Sequence, residues 1–317
     1  MKSSAEFRGL LTGLSLVGLA FLVLVDGPTI IPGQELLQSL RFHIAAGMLV
    51  IVVLLVMSRA WWRGVLLLAL LLASAGQGGL IIYRQQESRA PYDGRPEIAQ
   101  ALVLNFNVLA SNERGSDIAD YMIATAPDVM IVMESNAIQP ERARLAVDFP
   151  YTAGCNEDGR QCDTMIFSRT PLSDVQVIPL EPFKRLRLIV ARTRIKDQDV
   201  TLVAAHLSKP YFDEASYGEL GQIRRLLKGL TGPIILSGDF NAAAWSYPVA
   251  SLAENQQLVP PPHYPATWPV ELGAAAVPID NMFTRDGARI DSIEAVPDAM
   301  GSNHRGLLAR VGFYAAQ

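Results

Sequence analysis

Residues 234–241 read Ile234-Ile-Leu-Ser-Gly-Asp-Phe-Asn241. The run from Ile234 to Leu236 is apolar and suits a buried strand, which Ser237 and Gly238 break. Asp239 and Asn241 follow at its carboxyl end, and strand alternation puts both side chains on the same side of the backbone. A carboxylate and an amide projecting together from a rigid strand end suit phosphate chemistry with a hard divalent cation. The carboxylate can hold Mg²⁺ or a water, and the amide can donate to a phosphoryl oxygen. Gly-Asp and Asn are also common turn formers, so this stretch alone fits a plain turn as well.

The neighbouring pattern separates the two. Residues 101–107 form an apolar strand ending in Asn107, residues 128–134 one ending in Glu134, and residues 200–206 one ending in His206. Residues 279–283 form another, with Asp280 near its start, and His304 stands in Gly301-Ser-Asn-His-Arg305 just before a final strand over 307–313. A shorter strand covers 164–168, and a further one 291–296. Residues 185–195 alternate basic and apolar side chains, as a half-exposed strand does. Helical spacing covers 117–126 and 214–230, the second with Leu220, Ile223, Leu226, Leu227 and Leu230 on one face. Strands dominate with helices interspersed, which predicts an α/β fold: a sandwich of two packed sheets with outer helices. Ligand-type side chains recur at the strand ends, where loop-borne sites gather.

Ahead of this domain the composition changes. Seventeen residues between Arg8 and Asp26 carry no ionised side chain, nor do 17 between Arg41 and Arg59 or 20 between Arg63 and Arg84. Each run can cross a hydrocarbon core of about 30 Å as a helix, so three transmembrane helices are expected at about 9–25, 42–58 and 64–83. A signal peptide fits the first run less well, because no clear small-x-small cleavage site follows Val25 and two more spans come after it. Lys2 and Arg8 precede the first span and Arg59 and Arg63 follow the second, with only Arg41 on the opposite side. The positive-inside rule then places the amino terminus in the cytoplasm and everything after Arg84 outside the cytoplasmic membrane, with Trp61 and Trp62 at an interface. The expected organisation is a membrane segment over 1–84, a linker over 85–97 and one catalytic domain over 98–317.

Charge divides in the same way. Residues 1–90 carry 7 Lys+Arg against 4 Asp+Glu, and residues 91–317 carry 20 against 27. An acidic outer domain is a poor general binder of polyanions, which counts against a non-specific nuclease. The two cysteines, Cys155 and Cys162, flank a polar stretch that a disulfide could close in an oxidising compartment, with free thiols as the alternative. Arg185 and Arg187 fit a solvated strand face, or else a contact with lipid phosphates. His43, in a membrane run, and His263, in a proline-rich loop, are assigned to no site.

Taken in order, Asn105-Phe-Asn107, Met133-Glu134, Ala205-His206, Gly238-Asp239-Phe-Asn241, Ile279-Asp280-Asn and Ser302-Asn303-His304-Arg305 resemble the endonuclease/exonuclease/phosphatase superfamily, the deoxyribonuclease-like fold. Three spans ahead of such a domain look like the bacterial branch associated with glycopeptide (vancomycin and teicoplanin) resistance. The resemblance implies Mg²⁺ (or Mn²⁺) held principally by Glu134, with Asn107 close to the metal and phosphate and Asn303 beside it. It implies that Asp239 orients or deprotonates the attacking water and that Asn241 holds a phosphoryl oxygen. His304, held by Asp280, would act as acid–base or bind phosphate, and His206 would stabilise the pentacovalent state. Asn303 replaces the aspartate usual before the last histidine, which removes a charge and weakens any second metal position. The expected activity is a membrane-anchored phosphohydrolase acting on a lipid-linked phosphate, pyrophosphate or phospholipid headgroup. Its partners would be the lipid bilayer and that phosphorylated substrate. A nuclease of extracellular DNA and a non-catalytic binding module on the same fold are the alternatives.

Overall fold

The computed structural model describes residues 2–27, 31–154, 163–210 and 214–315. The expected Cys155–Cys162 disulfide lies outside these residues.

The chain begins with helices α1 (Lys2–Asp26), α2 (Gln34–Ser39), α3 (Arg41–Met57) and α4 (Trp61–Glu87). Two stretches, Ala5–Asp26 and Trp61–Tyr92, are long and apolar enough to cross a membrane. The first and third expected spans fall within these stretches, whereas the second, at 42–58, falls on α3, a shorter apolar helix of 17 residues. Its length is set at both ends. Arg41 opens it, and Arg59, at φ 64°, turns the chain out of the helix just after Ser58. Leu11, Leu22, Met48, Val52, Leu55, Leu67 and Leu71 pack α1, α3 and α4 into one bundle.

A polar layer closes one end of that bundle. The Arg41 guanidinium lies 3.2 Å from Asp26 and donates to the carbonyls of Val25 (2.9 Å) and Ser74 (3.0 Å), while the Ser74 hydroxyl donates to Asp26 (2.8 Å). The carboxylate and two carbonyls partner both terminal nitrogens of the buried guanidinium, which offsets part of the cost of burying its charge.

The rest is a two-sheet sandwich built from β1 (Glu97–Asn107), α5 (Gly115–Thr125), β2 (Val129–Met133), α6 (Arg142–Leu145), β3 (Tyr151–Ala153), β4 (Met165–Ser168), β5 (Ser173–Leu180), β6 (Arg185–Ile195), β7 (Gln198–His206), α7 (Ala215–Lys228), β8 (Ile234–Asp239), α8 (Tyr247–Asn255), β9 (Asp280–Arg285), β10 (Ala288–Ala295) and β11 (Leu307–Tyr314). One sheet runs β10-β11-β1-β2-β4-β3 and the other β5-β6-β7-β8-β9. The inner faces meet through side chains such as Val103, Ile131, Ile189, Leu202, Ile235 and Val311. On the outer faces α5 packs through Ile118 and Met122, and α7 and α8 through Ile223, Leu227 and Leu252.

Each sheet holds one parallel pair, β1–β2 and β7–β8, joined by the crossover helices α5 and α7. Parallel strands finish at the same end, so β1 and β2 bring Asn107 opposite Met133, and β7 and β8 bring His206 opposite Asp239. β9 runs antiparallel to β8 and starts where β8 stops, pairing Asp239 with Asp280. β11 runs antiparallel to β1, so the loop that precedes it, with His304, falls at that end too. Topology alone therefore gathers the polar strand ends of distant sequence into one place.

Candidate active site

The site forms around Asp239 and Asn107, both buried. The Asn107 amide donates to Asp239 Oδ2 (3.0 Å) and to Glu134 Oε1 (3.3 Å), joining the ends of both sheets. Glu134 Oε2 accepts the Ala110 N–H at 2.9 Å. Gly238 is demanded by the parallel neighbour, because a Cβ there would overlap the carbonyl oxygen of Ala205. The chain then turns sharply. Asn241 takes φ 50°, its N–H donates to Asp239 Oδ1 (2.8 Å) and its amide to the Leu207 carbonyl (2.8 Å).

Two histidine–carboxylate pairs flank Asp239. His304 Nδ1 lies 2.9 Å from Asp280 Oδ2 and its Nε2 3.8 Å from Asp239 Oδ2. His206 Nδ1 lies 2.7 Å from Asp163 Oδ2 and its Nε2 3.8 Å from the same Asp239 oxygen. Burial works to depress His304, but Asp280 and Asp239, with Glu134 beyond them, outweigh it and push its pKa up to about 9. The imidazole is thus a cation at neutral pH. Burial and the neighbouring Asp280 raise Asp239, so the proton it would accept is held more firmly than by a free carboxylate. Burial also works to raise Asp163, yet His206 and Arg187 outweigh it and hold that carboxyl below its ordinary value.

Asn107, Glu134, His206, Asp239, Asn241, Asp280 and His304 therefore come together as one constellation. Asn303 stands beside His304 and its carbonyl accepts from Val270 (3.2 Å), but among the described residues no hydrogen bond ties its side chain to the others. Asp163 and Ser302 play parts the sequence reading did not assign. Ser302 donates to the Asn107 carbonyl (2.7 Å) and its oxygen accepts from the His304 N–H (3.1 Å), fixing the histidine loop to β1. Asp163 lies just before β4, which runs antiparallel to β2. A carboxylate at the start of such a strand is the same signal as one at the end of its partner.

A cavity of about 410 Å³ opens beside this group, lined by Glu134, Asp163, Arg185, Arg187, Lys209 and Asn241 among others. Arg187 is paired with Asp163 at 2.9 Å. Arg185 stacks over Phe183, 5.1 Å from the ring centre, and neither it nor Lys209 forms an ion pair among the described residues. The donor set fits a hard divalent cation: ligand atoms of Asp239, Asp280 and His304 lie within 4.8 Å of one another, and Asp280 Oδ1 is a buried oxygen without a partner. That trio is the tightest grouping, but both of its imidazole nitrogens face carboxylates. Glu134 borders the cavity and offers oxygen alone, which suits Mg²⁺ better.

The endonuclease/exonuclease/phosphatase family model matches residues 104–304, the span that holds every residue of this constellation. The chain belongs to that family. Its members are metal-dependent phosphoester hydrolases. Among curated proteins, none matches the chain in sequence, and the expected likeness to glycopeptide-resistance proteins is not shown. Among solved structures it is similar to an endonuclease/exonuclease/phosphatase from Beutenbergia cavernae, with TM-score 0.55 and 21% identity over 68% of this chain and 72% of that one. It is similar to sphingomyelinase C from Streptomyces griseocarneus, with TM-score 0.54 and 17% identity over 68% of this chain and 100% of that one. A third is the beta toxin of Staphylococcus aureus with bound magnesium ions, with TM-score 0.52 and 13% identity over 69% and 100%. At these identities the likeness is one of fold.

Proposed function

We propose that this protein is a membrane-anchored, Mg²⁺-dependent phosphohydrolase whose catalytic domain faces outward from the cytoplasmic membrane. The observation that carries the reading is the constellation of Glu134, Asn107, Asp239, Asn241 and the His304–Asp280 pair beside a cavity with two cations, Arg185 and Lys209, that form no ion pair among the described residues. The substrate is a lipid-linked phosphate or pyrophosphate, or a phospholipid headgroup.

Glu134 would hold the ion, with Asn107 and Asp239 beside it. When bound, Mg²⁺ supplies Lewis-acid stabilisation of the charge on the phosphoryl oxygens. Asp239 accepts the proton of the attacking water, and the Asn241 N–H keeps its other oxygen in place. His304, cationic and locked in orientation by Asp280, faces the charge that builds on the phosphoryl group. His206, oriented by Asp163, stands on the other side of Asp239. Arg185 and Lys209 receive the remaining anionic part of the substrate.

The membrane part of the reading rests on side chains that find no partner in the protein. Only 28% and 22% of the two long apolar windows are buried, unlike core helices of a water-soluble fold. α3 spans with them, because its 17 residues rise about 25 Å, from the Arg41 layer to Met57 beside the two long helices. Residues 91–317 carry 20 Lys+Arg against 27 Asp+Glu, which disfavours nucleic acid.

The test is phosphate release by the full-length protein in lipid nanodiscs, offered lipid pyrophosphates, phospholipids and DNA with and without Mg²⁺. Mg²⁺-dependent turnover of a lipid substrate with a shallow salt dependence is expected. Turnover of DNA alone, falling steeply with salt, would establish the nuclease instead, and no turnover under any condition would leave a binding module.

A further inference from the structure

We propose that α2, the short helix in the loop between the first two membrane helices, is a positioning element of the active site, holding in place the loop that follows Asn241. The proposal rests on the phosphohydrolase reading for its kinetic consequences, and on hydrogen bonds for its geometry.

The loop after Asn241 is buried: Ala242, Ala243, Ala244, Trp245 and Ser246 are all shielded from water. Buried backbone N–H groups must find acceptors, and that of Ala243 finds one on the apolar amino-terminal hairpin, as do the Trp245 indole and the Tyr247 N–H that follow. The Ser39 hydroxyl accepts the Ala243 N–H at 2.9 Å, two residues from Asn241. The Ser39 carbonyl accepts the Trp245 indole N–H (3.3 Å), and Gln38 Oε1 accepts the Tyr247 N–H (2.9 Å) at the start of α8.

The same helix reaches the second site loop. Glu35, buried, accepts a hydrogen bond from Ser216 of α7 at 2.8 Å. One turn on, Glu219 of α7 accepts both the N–H (2.6 Å) and the hydroxyl (2.8 Å) of Ser208, two residues after His206. The Asn241 amide bonds Leu207, so the two loops that α2 braces also brace one another. Around this contact Leu40, Phe42, Ile81 and Ile82 of the bundle pack on Ala243, Trp245, Val277 and Ile279. Ile279 precedes Asp280, so apolar packing and polar caps act on the same two strand ends. α2 lies outside the segment 104–304 that matches the family. The brace is therefore supplied by the membrane segment and not by the catalytic domain.

The full-length protein in nanodiscs tests this through Ser39→Ala and Gln38→Ala, with Ser39→Thr as the variant that keeps the hydroxyl. Leaving the Ala243 N–H unpaired next to Asn241 should lower kcat about 10-fold with KM little changed, and Ser39→Thr should restore most of it. In an Asn241→Ala background the same Ser39→Ala change should cost under about twofold, because a group that acts through Asn241 has nothing left to act on. An equal loss in both backgrounds, or a loss confined to KM, would overturn the proposal. Amide exchange supplies a readout independent of activity: Ser39→Ala and Gln38→Ala should each accelerate exchange within 242–247 and leave the β10–β11 hairpin unchanged. Unchanged exchange in 242–247 overturns the proposal. Accelerated exchange in a protein that hydrolyses no phosphate substrate upholds the brace and rejects the phosphohydrolase reading.

Discussion

Two carboxylates with different duties, Glu134 and Asp163, line the same cavity. Glu134→Gln keeps the shape but removes the charge that would hold the ion. Steady-state kinetics should show a loss of about 100-fold or more, comparable to deleting one strong electrostatic stabiliser, and excess Mg²⁺ should recover part of it. Asp163→Asn leaves the metal side untouched but frees both His206 and Arg187 from the carboxylate that orients them. It should cost roughly 10–100-fold in kcat at saturating Mg²⁺, with no rescue by more metal. Rescue of the Asp163 variant, or none for Glu134, would exchange their roles. These residues were not equally legible. Asp239, Asn241, His206 and Glu134 end apolar strands, and a polar residue closing an apolar run is visible in one dimension. Asp163 sits before a strand of only four residues, and its partner His206 lies 43 positions away. Pairing at that distance depends on strand order, which one sequence does not display.

At the scale of elements, strands with an apolar run or a clear alternation, β6 among them, were legible, and the short β3 and the exposed β5 were not. β5 is an edge strand with mostly solvent-facing side chains, so it carries no apolar signature. α2 has six residues, mostly good helix formers, but a helix that short is not stable alone, and contacts with the catalytic domain hold it in place. Its Glu35 carries a measurable consequence. Burial raises the Glu35 pKa against the lowering effect of Ser216, and Glu219, itself raised by burial, adds to it. A carboxyl whose folded pKa is raised contributes stability that is complete below its ordinary value of 4.5 and is lost as pH rises through the folded pKa. Stability of the full-length protein should therefore fall as pH rises above that value. Glu35→Gln, which still offers an oxygen to Ser216 but cannot ionise, should flatten the decline, so that its melting temperature gains on the parent as pH increases. A difference independent of pH would mean that Glu35 is not titrating in this interface.

For the molecule as a whole, the apolar amino-terminal helices were legible as charge-free runs, while their docking onto the catalytic domain was not. Phe42, Ile81 and Ile82 look like lipid-facing residues at the ends of spans until the domain is seen to cover them. That docking also sharpens the orientation. Among the described residues, the hydrogen bonds with the catalytic domain come from the end of the bundle marked by Arg41 and Asp26, among them those of Ser39 and Gln38, Gln85 to Ala244 (2.8 Å) and Gln86 to Pro261 (2.8 Å). Arg59 and Arg63 lie at the other end, where Arg63 donates to Thr12 of α1 at 2.8 Å, near Arg8. Trp61 and Trp62 are 60% and 69% exposed there, as aromatic side chains at a headgroup boundary are. Arg8, Arg59 and Arg63, in no ion pair among the described residues, at one end and an acidic domain at the other predict a cytoplasmic amino terminus and an outer catalytic domain. In spheroplasts, added protease should remove the domain that follows α4 while an epitope placed before Lys2 survives, and both should be cut once the membrane is dissolved. Replacing Arg8, Arg59 and Arg63 together by Gln should leave a fraction of molecules inverted and their domains protected. Protection of the domain in the unaltered protein would place the site in the cytoplasm, and a lipid-linked substrate would then have to present its phosphate on the inner leaflet.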